Sequence, residues 1–362
     1  MEDHERLFDR VRGAMLGGAV GDALGWPIEF LRLNEIRERY GPAGVSGYLP
    51  MGEAGAAQQI TDDTQMTMFT AEGLLRCPPG GNYAPVLRRA YLRWRDTQSR
   101  DQPGPESDGW LAQQQFLYAM RAPGNACMTG LRRQAEEFLP ALEFGEPGPV
   151  NPNSKGCGTV MRSAPFGLAG FGADRAFHTA MHCAQLTHGH PTAYLSAGAF
   201  AILIDHVVAG RELPDALQDT ISRLAPMPAS AETVTALASA LTTIQLGDPT
   251  PERLELMGRG FTAETCLAIA VYCALYTYRT GDIRGGLLLA VNHSGDSDST
   301  GAVAGNLIGA VHGLNALPMD WIATVEGRDE LFRIADDLVL NFHYNDRTTL
   351  EERYPIDSGI VS

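Results

Sequence analysis

Positive charge is scarce in this chain: 28 Lys and Arg stand against 43 Asp and Glu, a formal net charge of −15. Such a surface repels phosphate backbones unless its basic residues gather on one face. No Lys/Arg-rich block occurs, so no nucleic-acid partner is expected. Cysteine is also sparse. Cys77, Cys127, Cys157, Cys183, Cys266 and Cys273 are scattered without a C-x-x-C pair, which signals neither a disulfide framework nor a zinc ribbon and predicts reduced, mostly buried thiols. No stretch approaches the ~20 apolar residues of a membrane span, and the opening MEDHERLFDRVRG lacks the apolar core of a secretory signal. The expectation is a cytoplasmic protein with no membrane partner. A G-x-x-x-x-G-K-[ST] phosphate loop, an H-E-x-x-H zinc motif, a fixed-period repeat and low-complexity tracts are all missing.

Hydrophobic residues make up 44% of the 362 and charged residues 20%, the balance of a globular protein with a sizeable core. At ~150 residues per domain this length allows two domains or one large helical one. Stretches rich in Ala, Leu and Met at 193–209, 263–279 and 299–316 predict helices, and strand signals are few. Gly/Pro-punctuated connections at 41–59, 97–109 and 145–158 exceed the usual loop length and are candidates for building a site.

Two glycine ladders are present. Gly13, Gly17, Gly21 and Gly25 recur at every fourth residue, as do Gly301, Gly305 and Gly309. Residues four apart share a helix face, so each ladder presents a flat strip to which another backbone, or a ligand, can come close. Each glycine costs about 1 kcal/mol relative to alanine in a helix interior, a loss that close packing or a ligand must offset.

Both ladders adjoin acid. TDDTQMT places Thr61, Asp62 and Asp63 at an apparent helix start, and GDSDST places Asp296, Asp298 and Ser299 at another. Either set alone reads as helix capping. Two copies of one arrangement change the reading, because four carboxylates brought together repel one another and need cations or protons between them. Hard divalent ions accept such oxygen ligands, and a shared carboxylate can bridge two of them, so a binuclear site is inferred. DSDSTG opens like a calcium loop, but its twelfth position is Leu307 where a glutamate is required. Glu29, in GWPIEF, reads without context as a surface charge. The loop around Gly156, Cys157 and Gly158 is either a tight turn or a cradle of N–H groups for a pyrophosphate. His188 and His190, in THGHP, read singly as structural histidines.

The ordered motifs GAMLGGAVGDALGWPIEF, TDDTQMT, SKGCGTVMR, THGHP and GDSDSTGAVAGNLIGA resemble those of the ADP-ribosylglycohydrolase family along nearly the whole chain. That resemblance implies one domain over residues 1–362, an all-α orthogonal bundle whose long loops surround a central site with two Mg2+ or Mn2+ ions. It implies Thr61, Asp62, Asp63, Asp296, Asp298 and Ser299 as metal ligands, Asp298 bridging, and Glu29 as the catalytic residue. The loop Asn153, Ser154, Lys155, Gly156, Cys157 and Gly158 then holds the phosphates and distal ribose, with His188 in the ligand pocket. Cys157 stands where other members often carry Asn, and Ser299 where many carry Thr. Some members also use an aspartate near Asp96 and Asp101. The implied activity is hydrolysis of the bond joining ADP-ribose to an acceptor, a modified protein or small conjugate, with arginine preferred over serine. The alternative from another class is a non-catalytic ADP-ribose-binding or immunity-type protein on the same scaffold.

Overall fold

The computed structural model describes residues 3–50 and 56–357. Among these the chain runs through sixteen α-helices, short 3-10 turns and one π-helical turn at Val339–His343; extended backbone pairs only in two isolated bridges, Gln58 with Val325 and Gly156 with Thr262. The all-α expectation holds. The first helices are α1 (Asp3–Gly25), α2 (Leu33–Tyr40), α3 (Asp62–Leu75), α4 (Tyr83–Thr97) and α5 (Asn125–Glu136). Next come α6 (Ala164–Leu168), α7 (Ala173–Ala184), α8 (Pro191–Val208), α9 (Leu213–Leu224) and α10 (Ala231–Thr243). The chain closes with α11 (Pro251–Leu254), α12 (Ala263–Thr280), α13 (Ile283–Val291), α14 (Ser297–His312), α15 (Met319–Ile322) and α16 (Arg328–Leu338).

Local chemistry sets several of these boundaries. Pro191 opens α8 at a position where a missing N–H costs no helical bond, and His190 Nδ1 accepts from the Thr192 N–H at 3.2 Å. α12 stops at Gly281, whose φ of 73° lies in the left-handed region that favours glycine. α8 is long and apolar enough by composition to cross a membrane, yet 89% of it is buried inside the fold. It packs with α7, α6 and α12 around a hydrophobic core that draws residues from Val11 to Tyr354.

The glycine ladders explain the centre of the bundle. α1 and α14 form its most extensive helix pair. They run antiparallel in four-residue steps: Gly13 faces Gly309, Gly17 faces Gly305, Gly21 faces Gly301 and Gly25 faces Ser297. A Cβ built on any of these glycines would lie closer than 3.0 Å to a carbonyl oxygen of the opposite helix. Asn306 locks the register by donating from Nδ2 to the Ala14 carbonyl at 2.8 Å. Backbone packing is therefore what the ladders serve, and it carries the C-terminal end of α1 to the N-terminal end of α14. Those two ends bear Glu29 and the Asp296–Ser299 cluster.

Candidate metal centre

The start of a third helix, α3, completes the arrangement. Thr61 caps α3, its hydroxyl accepting from the Asp63 N–H at 3.3 Å. That cap is anchored to α1 by Asp22, a fully buried carboxylate that accepts from Thr61 N at 2.9 Å, Thr64 N at 3.2 Å and Thr64 Oγ1 at 2.5 Å. On the far side of the cap, Asp62 N donates to the Arg121 carbonyl at 3.1 Å, and Gly124 N donates to Asp62 Oδ2 at 3.2 Å. Beyond α1, the turn Trp26–Ile28 delivers Glu29 and Phe30. Phe30 adopts a left-handed backbone (φ 66°) and donates its N–H to the Gly295 carbonyl at 2.9 Å. A non-glycine residue in that region carries roughly 1–3 kcal/mol of strain, here located where the chain turns Glu29 toward α14.

The result is a cavity of about 280 Å³ lined by Glu29, Asp62, Asp63, Asp296, Asp298 and Ser299, with Phe30, Asn125, Cys157, Gly158 and Met161 among its other walls. No Lys, Arg or His lines it. Carboxylate oxygens of Glu29, Asp296 and Asp298 all lie within 4.8 Å of one another, the one such group of three found among the described residues. Burial is the main force on the protons here. It raises Asp62, Asp63 and Asp298 well above the ordinary carboxylate range, and neighbouring carboxylates push them further. Glu29, half-buried at the rim, is pushed up to about 8 by burial and then by Asp296 and Asp22. Asp22 rises to about 6 through burial alone, against the hydrogen bonds from Thr64 and Thr61. The positive ends of α3 and α14 point at this charge but offset only part of it.

These residues fit a hard divalent cation. The donors facing the cavity are nearly all oxygen, the charge is uncompensated by any basic side chain lining it, and Asp63 Oδ1 is buried with no hydrogen-bond partner. A carboxylate oxygen in that condition costs several kcal/mol unless a proton or a metal takes it up.

The remaining site residues anticipated from sequence fall in different places. Cys157 and Gly158 reach the cavity wall, held there by Cys157 N donating to the Phe261 carbonyl (3.1 Å) and Ala263 N donating to the Lys155 carbonyl (2.9 Å). Gly156 sits in the bridge to Thr262, Asn153 is exposed, and Ser154 N turns back to the Asn151 carbonyl. Lys155, the only lysine in the chain, points away to Glu232 and Glu264, each at 2.8 Å. His188 is buried behind the loop: a Cβ on Gly158 would come within 2.9 Å of its ring, so the small residue is required by that support. Burial drives the His188 imidazole down to about 3, with Arg162 adding to the effect, so it stands neutral beside Thr187 Oγ1. Thr61 is buried and is not among the residues lining the cavity; its hydroxyl accepts from the Asp63 N–H in the cap. Asp96 and Asp101 are exposed and line no part of the cavity.

Two residues with structural leverage went unread in the sequence. Asp22 gave a signal that was available: an aspartate inside a helix, a poor position for it, flanked by ladder glycines. Arg162 is the buried cation of the SKGCGTVMR motif. It donates to the Gly158 carbonyl at 2.9 Å and to Thr187 Oγ1 at 2.7 Å, and lies over the Tyr91 ring. It ties the glycine loop to the segment carrying His188.

Comparison with known proteins places this geometry. The ADP-ribosylglycohydrolase family model matches residues 3–348. The chain is 26% identical over 328 residues to the ADP-ribosyl-[dinitrogen reductase] glycohydrolase of Rhodospirillum rubrum, covering 90% of this chain and 92% of that protein. It is 24% identical over 336 residues to the ADP-ribosylarginine hydrolase Tri1 of Pseudomonas putida (strain GB-1), covering 92% and 79%. A solved structure described as an ADP-ribosylglycohydrolase-related protein complex superposes with a TM-score of 0.61 at 25% identity, covering 92% of this chain and 98% of that one. With the family match running over nearly all of the described fold and through every segment that meets at the cavity, the chain belongs to the ADP-ribosylglycohydrolase family.

Proposed function

We propose that this protein hydrolyses the glycosidic bond between ADP-ribose and a modified acceptor, with arginine on a protein as the preferred acceptor. The observation that carries the reading is the convergence of carboxylates from three chain segments on one cavity with no basic side chain in its walls. Two Mg2+ or Mn2+ ions are the proposed occupants, with Asp62, Asp63, Asp296, Asp298 and Ser299 as side-chain ligands. Thr61, whose hydroxyl accepts from the Asp63 N–H at the start of α3, is the sixth proposed ligand. Bound divalent ions supply polarisation of ribose hydroxyls and a lowered pKa for a coordinated water.

At about 280 Å³ the cavity falls just below the roughly 300–1,000 Å³ of whole-ligand sites. It suits the distal ribose, with the rest of the nucleotide lying along the Asn153–Gly158 loop and His188 supporting that loop from behind. Glu29 Oε is the proton acceptor of the proposed mechanism. Its half-buried place at the rim, with a carboxylate oxygen within 4.8 Å of those of Asp296 and Asp298, puts it beside the proposed ligands, where bound cations would offset the burial and repulsion that raise its pKa and leave it ionised to accept a proton. Replacing Glu29 with Gln should therefore lower kcat by about 10²–10⁴-fold, while ADP-ribose affinity stays within a few-fold of wild type. Matched losses in kcat and in calorimetric affinity would return Glu29 to a plain surface charge.

The arginine preference draws on the likeness to the Tri1 hydrolase and on an acidic surround that favours a guanidinium leaving group. It is tested by comparing kcat/KM on arginine-linked and serine-linked peptides of matched sequence, at one metal concentration and one ionic strength, with release of free ADP-ribose as the readout. Faster cleavage of the serine linkage would overturn the acceptor assignment. Binding of ADP-ribose without turnover of either peptide would favour the non-catalytic reading.

A further inference from the structure

The rim of the cavity carries an aromatic pair that the core does not use. Phe30, which lines the cavity beside Glu29, stacks on Phe261 with ring centroids 5.9 Å apart and planes inclined by 8°. The two side chains are 67% and 42% exposed, and no other Phe, Tyr or Trp among the described residues is as exposed as either. Phe30 also holds a left-handed backbone (φ 66°), and a phenyl mostly in solvent returns little burial for that strain. Both residues are nonetheless fixed: Phe30 N donates to the Gly295 carbonyl at 2.9 Å, and the Phe261 carbonyl accepts from Cys157 N at 3.1 Å. A strained, exposed and firmly held phenyl at a cavity mouth is placed for a ligand.

We propose that Phe30, braced by Phe261, is the acceptor platform of this enzyme: its open face takes the planar guanidinium of an ADP-ribosylated arginine and so sets the preference for arginine over serine. The inference rests on the reading of the protein as an arginine-directed hydrolase and names the side chain that selects the acceptor. Position decides which end of the substrate meets the ring. Phe30 follows Glu29 in the chain and is bonded to Gly295, next to Asp296, so it stands at the carboxylate end of the cavity, where the bond to the acceptor is cut, while the nucleotide runs along the Asn153–Gly158 loop. Charge decides the chemistry. A guanidinium lies flat on an aromatic face and is attracted by the ring's quadrupole; the ionised Glu29 beside it adds to the attraction, and no Lys, Arg or His in the cavity wall opposes it. The basic residues closest in sequence, Arg32 and Arg259, line a separate cavity with Leu33 and Ser294. A serine acceptor offers neither a plane nor a charge to the ring.

The test compares kcat/KM on arginine-linked and serine-linked peptides of matched sequence for wild type, Phe30→Leu, Phe30→Tyr and Phe261→Leu, with calorimetric affinity for free ADP-ribose measured on each protein. Phe30→Leu keeps an apolar side chain and removes the π face, so the arginine-over-serine ratio should fall about 5–30-fold, the range for a cation–π contact partly shielded from water. Phe30→Tyr, which keeps the face, should hold the ratio near its wild-type value. Phe261→Leu, which removes only the brace, should lower it to a smaller extent. Affinity for free ADP-ribose should stay close to wild type in all three. An unchanged ratio in Phe30→Leu, or an equal fall in Phe30→Tyr, overturns the platform and leaves the hydrolase reading standing. A loss of affinity for free ADP-ribose in Phe30→Leu that matches its loss on the arginine-linked peptide assigns the ring to the nucleotide, and overturns the platform as well. A wild type that cleaves the serine linkage faster overturns the arginine reading itself, and the platform with it.

Discussion

Asp298→Asn is expected to reduce turnover by about 10³-fold, the order seen when one preorganised electrostatic group is removed from an active site, while the protein stays folded. Asp298 is 2% exposed at the start of α14, its carboxyl driven up by burial and by Asp296, Asp63 and Glu29. Asparagine keeps the shape and removes the charge. In metal-free protein this relieves repulsion among like groups, so the melting temperature should stay level or rise. In the presence of Mn2+ the two proteins should part. Wild type gains stability as the ion binds the native state, about 2.7 kcal/mol at a hundred times Kd, and the variant gains little. Thermal melts with and without Mn2+, paired with initial rates, read both effects. A variant that keeps wild-type turnover at saturating Mg2+ or Mn2+ would sink the proposed role of Asp298 as a metal ligand.

Gly21→Ala should destabilise the protein by at least ~3 kcal/mol, at the upper end of overpacking penalties, although the same change in an exposed helix stabilises by about 1 kcal/mol. A methyl at Gly21 meets the carbonyl of Gly301, which is backbone and cannot rotate aside as a side chain would. α1 and α14 must then separate, and Asn306 loses its grip on Ala14. The same displacement would carry Glu29 away from Asp296 and Asp298, so residual folded protein should show depressed activity. Denaturant midpoints for Gly21→Ala and Gly305→Ala, with Gly80→Ala as a loop control, measure the loss. Gly80 has a positive φ but open space around it, so its cost is conformational only. Wild-type stability in Gly21→Ala would refute close backbone contact as the reason for the ladder.

The two cases differ in how much of them could be read beforehand. The four-residue glycine spacing and the paired acid-hydroxyl clusters are local patterns, and both mark elements that meet at the centre of the bundle. Lys155 and His188 lie in the motifs that resemble the family, yet one side chain turns out to Glu232 and Glu264 and the other turns in behind Gly158. A motif specifies where the backbone goes; the direction of a side chain depends on neighbours distant in sequence. Asp22 shows the same limit from the other side, since its partners Thr61 and Thr64 stand some forty residues away.

What the sequence by itself determined is the helical class, through Ala- and Leu-rich segments with few strand signals, and the chemical type of the site, through carboxylates set beside hydroxyls at helix starts. It also determined that α1 and α14 can approach each other, because only glycine leaves room for backbone against backbone. Tertiary structure alone decided that the three acidic segments close on a single cavity, that Asp22 anchors α3 to α1, and that Phe30 stacks on Phe261. The physical reason is that burial, pKa and ligand geometry belong to groups of atoms assembled from remote parts of the chain. A carboxylate in solvent is a solubilising charge; the same carboxylate beside others, away from water and without a basic partner, calls for a cation.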